Sequence, residues 1–158
     1  MVKKTRNSLE LSVIRLIYQC NLFNMKVHHF GIACNNILKS KGQYEKLGFK
    51  VTKELVTDYG RNLDYIFLEN SGVLIELIAK HNHEKKCDID MILEQKKVIG
   101  NQVYHICYES SELESDIENL KREGYKLIKP PSTAIAADFK RVVFLIHFNL
   151  GIVELIEI

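Results

Sequence analysis

From Val27 onward the chain is organised by short β-branched and aromatic runs, broken by polar or glycine-containing stretches. Val27 to Cys34 and Val103 to Glu109 each read as a strand. After the second, Ser111-x-x-Glu114 has the form of a capping box, Leu113, Ile117 and Leu120 follow at helical spacing, and Gly124 stands just past the end. The matching segment Asn36 to Leu47 has an Asn cap, Ile37, Tyr44 and Leu47 on one face, and Gly48 as its stop. Gly42 inside it costs about 1 kcal/mol of helix propensity. Three strands follow each helix: Lys50 to Val56, Leu63 to Glu69 and Val73 to Ala79 after the first, and Tyr125 to Lys129, Arg141 to Phe148 and Gly151 to Ile158 after the second.

The two halves are copies of one pattern. His29-Phe30-Gly31-Ile32 and His105-Ile106-Cys107-Tyr108 each lie 19 residues before a glycine, aromatic, lysine triplet, Gly48-Phe49-Lys50 and Gly124-Tyr125-Lys126. Ile66-Phe67-Leu68 leads to Gly72 and Ile75-Glu76-Leu77-Ile78, as Val143-Phe144-Leu145 leads to Gly151 and Val153-Glu154-Leu155-Ile156. The offset is 76 residues at the histidines and 78 at the glutamates. Each copy parses as βαβββ. Unit one spans 25–79 and unit two 102–158, with a linker over 80–101 in which Asp88 caps a short helix carrying Ile89, Ile92 and Leu93 and ending near Gly100. Pro130-Pro131 with Ser132-Thr133 reads as a rigid extended turn, because proline cannot continue a ladder.

Composition narrows the function classes. Residues 1–24 hold Lys3, Lys4, Arg6 and Arg15 against Glu10, whereas 25–158 hold 18 basic and 19 acidic residues. A near-neutral body lacks the basic stripe of a nucleic-acid binder. No apolar run reaches the roughly 18 residues of a membrane span, and the leader lacks a cleavable signal's small-residue site, so a soluble cytoplasmic protein is expected. Cys20, Cys34, Cys87 and Cys107 match no CxxC pattern and read as small hydrophobes. The leader, 1–24, is either an upstream start ahead of Met25 or an added helix from Ser8 through Tyr18.

A pseudo-twofold axis between the units would make equivalent residues face each other. His29, Glu76, His105 and Glu154 are two such pairs, and two imidazoles with two carboxylates suit a divalent transition ion. A lone histidine on an apolar face is more often a hydrogen-bonded core residue; equivalence within the repeat reverses that weighting here. His29 shares its strand face with Gly31 and Ala33, which leave room, whereas His28 shares its face with Phe30 and Ile32. Each glutamate lies in an apolar strand, where an unpaired carboxylate is costly. His81 and His83, beside Glu84, Lys85 and Lys86, read as a solvated loop.

At these residues the sequence resembles the vicinal-oxygen-chelate superfamily, the glyoxalase, bleomycin-resistance and extradiol-dioxygenase group. The resemblance covers Met25 to Ile158 and rests on an H-x-G-I-A opening (His29 to Ala33), an L-G-F turn (Leu47 to Phe49), an I-E-L strand (Ile75 to Leu77), an H-I opening (His105-Ile106) and a terminal V-E-L (Val153 to Leu155). It implies an α+β fold of two tandem βαβββ units in a cupped, barrel-like mixed sheet with helices outside. It also implies one divalent metal ion (Co, Ni, Zn, Mn or Fe) on His29, Glu76, His105 and Glu154. The order of ligands looks like methylmalonyl-CoA epimerase and glyoxalase I. The implied function is therefore an isomerase, epimerase or lyase acting through an enolate, with Glu154 as base and Glu76 returning the proton. The implied substrate is an acyl thioester or a hemithioacetal, and the implied assembly a homodimer. Glyoxalase I-type lactoylglutathione lyase and a non-catalytic antibiotic-binding protein are the alternatives. Two features depart from epimerases: Ala134 to Phe139 replaces a glycine-rich loop, and His147-Phe148 stands where His-Pro is usual. The further glutamate that some epimerases carry on the third strand falls at Tyr65, or at Asp64 with a one-residue shift.

Overall fold

The computed structural model describes residues 25–94 and 100–158; the leader helix from Ser8 through Tyr18, and the linker helix beyond Glu94, lie outside them. Unit one comprises β1 (Val27–Ala33), α1 (Ile37–Lys46), β2 (Lys50–Asp58), β3 (Leu63–Asn70) and β4 (Val73–Lys80). The linker carries α2 (Asp90–Leu93), and unit two comprises β5 (Gln102–Ser110), α3 (Leu113–Arg122), β6 (Lys126–Thr133), β7 (Arg141–His147) and β8 (Gly151–Glu157). All eight strands form one open mixed sheet in the order β2-β3-β4-β1-β5-β8-β7-β6, so the chain has the expected α+β fold. Each unit contributes four strands, with β1 parallel to β4 and β5 parallel to β8, and the units join where β1 and β5 run antiparallel. The pseudo-twofold axis therefore passes through that seam within a single chain.

The helices cover the convex face, and the repeat reaches into their packing. Ile66, Leu68, Ile75 and Leu77 pack with Ile37 of α1, while Val143, Leu145, Val153 and Leu155 pack with Leu113, Ile117 and Leu120 of α3. Burying each of these side chains contributes about 1.5–3 kcal/mol. Both helices stop alike. Gly48 and Gly124, at φ 92° and 95°, take the left-handed turn that a Cβ disfavours, and Phe49 and Tyr125 donate back to the carbonyls of Tyr44 and Leu120 at 3.1 Å. The helix starts differ. Asn36 caps α1 by accepting from the Lys39 amide at 2.9 Å, as its sequence predicts. The Ser111-Glu114 capping box does not form: α3 follows Glu112 with no side-chain cap, and Glu114 instead binds Arg141.

Two other expectations are corrected. Asp88 does not cap α2; it binds Lys129 at 2.6 Å, and Asp90 turns back to accept from the Cys87 amide at 2.9 Å. Pro130 and Pro131 form no turn but lie inside β6, at a register shift between the pairs Lys129–Phe144 and Ser132–Val142. Because β6 is an edge strand and the ladder skips these residues, their missing N–H groups cost no ladder bond. No helix among the described residues is long and apolar enough to cross a membrane.

Candidate metal centre

The strand registers explain how four residues separated by up to 125 positions meet. On β4, Glu76 pairs with Gly31, two residues beyond His29; on β8, Glu154 pairs with Cys107, two residues beyond His105. Each glutamate is thus a diagonal neighbour, on the same face, of its own unit's histidine. Across the seam His29 pairs with Cys107 and His105 with Gly31, which interleaves the two sets on the concave face. All four residues are buried. Gly31 is required for the fit: a Cβ there would stand 2.5 Å from both ring nitrogens of His105.

The donor atoms lie within 4.8 Å of one another. His29 Nε2 is 3.1 Å from His105 Nε2, 3.4 Å from Glu76 Oε2 and 3.3 Å from Glu154 Oε2; His105 Nε2 is 3.6 Å and 3.0 Å from the same two oxygens. Ligands held at about 2.1 Å from one ion stand roughly 3.0–3.4 Å apart, so the cluster has the spacing that a single ion requires. Two buried carboxylates also demand positive charge. Burial works to raise the Glu154 carboxyl, but the imidazoles of His105 and His29 outweigh it and hold that carboxyl well below the ordinary carboxylate range. Burial likewise works to lower His29, and the adjacent carboxylates of Glu154 and Glu76 overcome it, raising its pKa to about 9. Glu154 Oε2 and His105 Nδ1 are buried without a hydrogen-bond partner; the first faces the centre of the cluster, where a cation would satisfy it. The donor set, its spacing and the orphaned oxygen fit a divalent ion.

The cluster lies in a cavity of about 330 Å³ on the concave face. Phe67 pairs with Glu76 and Phe144 with Glu154, and each ring stands edge-on to its unit's histidine, with centroids 5.6 and 5.5 Å apart. Tyr65 and Tyr104 also line the cavity. Burial, then the charge of Glu76 for Tyr65 and of Asp88 for Tyr104, pushes both phenols above their usual range. Asp64 turns away and accepts from Thr57 Oγ1 at 2.6 Å and lies 3.1 Å from His81 Nδ1, so of the two third-strand candidates only Tyr65 reaches the site. Cys107 is fully buried beside the cluster, and burial followed by Glu154 keeps its thiol protonated.

His28 departs from its expected face. It lines the cavity, and its Nδ1 is 2.7 Å from His29 Nδ1. Burial, then the neighbouring His29, holds it below its usual pKa. Strand alternation alone misplaces this residue, because β1 is bulged there.

A family model, the Glyoxalase/Bleomycin resistance protein/Dioxygenase superfamily, matches residues 28–144, and the chain belongs to that superfamily. No curated protein matches it. Among solved structures, a hypothetical protein from Bacillus halodurans C-125 is 23% identical with a TM-score of 0.71, over 86% of this chain and 96% of that one. Methylmalonyl-CoA epimerase from Mycobacterium tuberculosis is 20% identical with a TM-score of 0.67, over 83% and 86% of the two chains. The Streptomyces coelicolor epimerase in complex with 2-nitronate-propionyl-CoA is 18% identical with a TM-score of 0.68, over 84% and 96%. These likenesses establish a shared fold.

Proposed function

We propose that this protein is a divalent-metal-dependent isomerase that epimerises an acyl thioester through an enolate. The observation that carries the reading is the convergence of His29, Glu76, His105 and Glu154 at the cavity wall, in a fold shared with methylmalonyl-CoA epimerases. His29, Glu76, His105 and Glu154 would hold the ion. When bound, it supplies Lewis-acid stabilisation of negative charge developing on a substrate carbonyl oxygen. Glu154, ionised because two imidazoles face it, accepts the proton α to the carbonyl on a carboxylate oxygen. Glu76, across the cluster, relays a proton drawn from solvent to the opposite face of the planar carbon, which inverts it, and Glu154 returns its own proton to solvent. Phe67, Phe144 and Leu74 line the same cavity and limit water near the carbanionic carbon.

The test is solvent-deuterium exchange, with the protein loaded in turn with Co, Ni, Zn, Mn and Fe, over a panel of α-branched acyl thioesters and glutathione hemithioacetals. Deuterium should enter the α position of a thioester at a rate that falls at least 100-fold in Glu154→Gln. Exchange confined to hemithioacetals would replace this reading with lactoylglutathione-lyase chemistry. The loop Ala134 to Lys140, which borders the cavity, contains no glycine, a departure from the epimerase pattern that supports this second substrate class. No exchange with any substrate would leave a binding protein of the same fold.

A further inference from the structure

The seam between the units carries two bulges at equivalent places. Val27 pairs with Tyr108 and His29 with Cys107, which leaves His28 as an extra residue on β1; Gly31 pairs with His105 and Ile32 with Val103, which leaves Tyr104 as an extra residue on β5. A regular strand would turn positions 28 and 104 away from 29 and 105. A bulge breaks that alternation and re-aims the side chain. Both extra residues line the cavity, and each stands edge-on to the adjoining histidine with ring centroids 5.0 Å apart.

The two copies differ in chemistry. His28 offers a ring nitrogen, and its Nδ1 lies 2.7 Å from His29 Nδ1. Tyr104 offers no nitrogen, and His105 Nδ1 is left buried without a partner. A neutral imidazole carries a single proton, and the group at one nitrogen decides which nitrogen keeps the lone pair. We infer that His28 is a positioning residue for His29: its Nδ1 accepts the His29 Nδ1–H, which fixes the lone pair of His29 on Nε2, the atom that faces Glu76 Oε2 and Glu154 Oε2 at 3.4 and 3.3 Å. The remaining proton of a neutral His28 then resides on its own Nε2. The bulge places this support, since without it His28 would lie on the helix-covered face with Phe30 and Ile32. The duplicated site is therefore unequal, one histidine held at both nitrogens and the other at one.

This inference rests on the metal-centre reading and is tested by metal affinity. His28→Leu removes the nitrogen and keeps bulk, His28→Ser removes it with less bulk, and His28→Asn puts an amide oxygen near the place of Nδ1. Zn²⁺ and Co²⁺ affinities are measured by competition with a chromophoric chelator, alongside the visible absorption of the cobalt-loaded proteins. His28→Leu and His28→Ser should bind roughly 10–100-fold more weakly with altered cobalt bands, and His28→Asn should recover most of the affinity. Parental affinity in a folded Leu or Ser variant overturns the positioning role and leaves the metal centre standing. An equal loss in all three variants, Asn included, overturns the hydrogen bond as its cause. A parent chain that binds neither ion more tightly than a His29→Ala, Glu154→Ala double variant overturns the metal centre and the positioning role together.

Discussion

Gly31 shows how one missing methyl group sets the geometry of the site. Its place in the repeat is equivalent to that of Cys107, yet the two differ, because the His105 ring occupies the space that a Cβ at 31 would fill. Gly31→Ala must push His105 from the cluster or bend the seam. Overpacking of this kind costs about 1–3 kcal/mol, which a folded domain tolerates, but the moved imidazole no longer meets the carboxylates. The variant should keep the parent's far-UV circular dichroism and lose more than tenfold in zinc affinity by chelator competition; parental affinity would show that the close packing is incidental. At this scale the sequence was informative where the repeat gave two instances of one residue: His29 with His105 and Glu76 with Glu154 were legible together, and the structure places them on one face. The small residue at Gly31 was legible as room, though the group that fills it is the partner histidine. His28 was misplaced because its direction depends on a register shift against residues some 80 positions away, which strand alternation does not encode.

Among the elements, those marked by local chemistry were legible and those set by neighbours were not. Glycine stops ended both main helices as expected, since the left-handed turn is a property of the stop itself. The α3 and α2 starts failed because Glu114 and Asp88 found cationic partners on other strands, Arg141 and Lys129. α2 shows what replaced the cap. Ile89, fully buried, packs beneath the cavity with Tyr65, Phe67 and Tyr104, and Asp90 ties the turn to β4 through Lys80 at 2.9 Å and to the Cys87 amide. Lys80 first, then that amide, lowers the Asp90 pKa from its ordinary value to about 2. A carboxylate depressed in the folded state stabilises it fully above the unfolded pKa near 4, and the contribution is lost as pH falls through 2. Urea unfolding from pH 5 down to pH 2 should therefore show a steeper loss of stability in the parent than in Asp90→Asn, with the difference confined below about pH 4. Parallel curves would mean that the contact does not anchor α2.

At the scale of the whole molecule, the sheet is open: its edges, β2 and β6, share no ladder, and side chains span the gap between them. Lys53 on β2 donates to the Ala136 carbonyl at 2.8 Å and binds Asp138. Arg61, in the β2–β3 turn, donates to Ser132 Oγ at 2.8 Å and to the Thr133 carbonyl at 3.1 Å. All of these residues except Thr133 line the cavity, so polar contacts that can break singly bridge one side of its rim, while His29 and His105 on the β1–β5 ladder form part of its wall. Such contacts at an exposed rim are individually weak, about 1 kcal/mol net for the Arg61 pair, too little to decide the fold but enough to govern local opening. Arg61→Ala should therefore leave the global unfolding midpoint almost unchanged. Amide hydrogens from Ser132 to Lys140 should exchange about fivefold faster, the factor that 1 kcal/mol gives, and those of β1 and β5 should be unaffected. If the 132–140 amides keep their parental protection, the lips are held by the buried Ala134 and Ala136 contacts instead, and substrate would have to enter a cavity that does not gape. If protection falls along β1 and β5 as well, the rim and the seam open as one unit, and access to the His29, Glu76, His105 and Glu154 cluster is limited by the stability of the sheet itself.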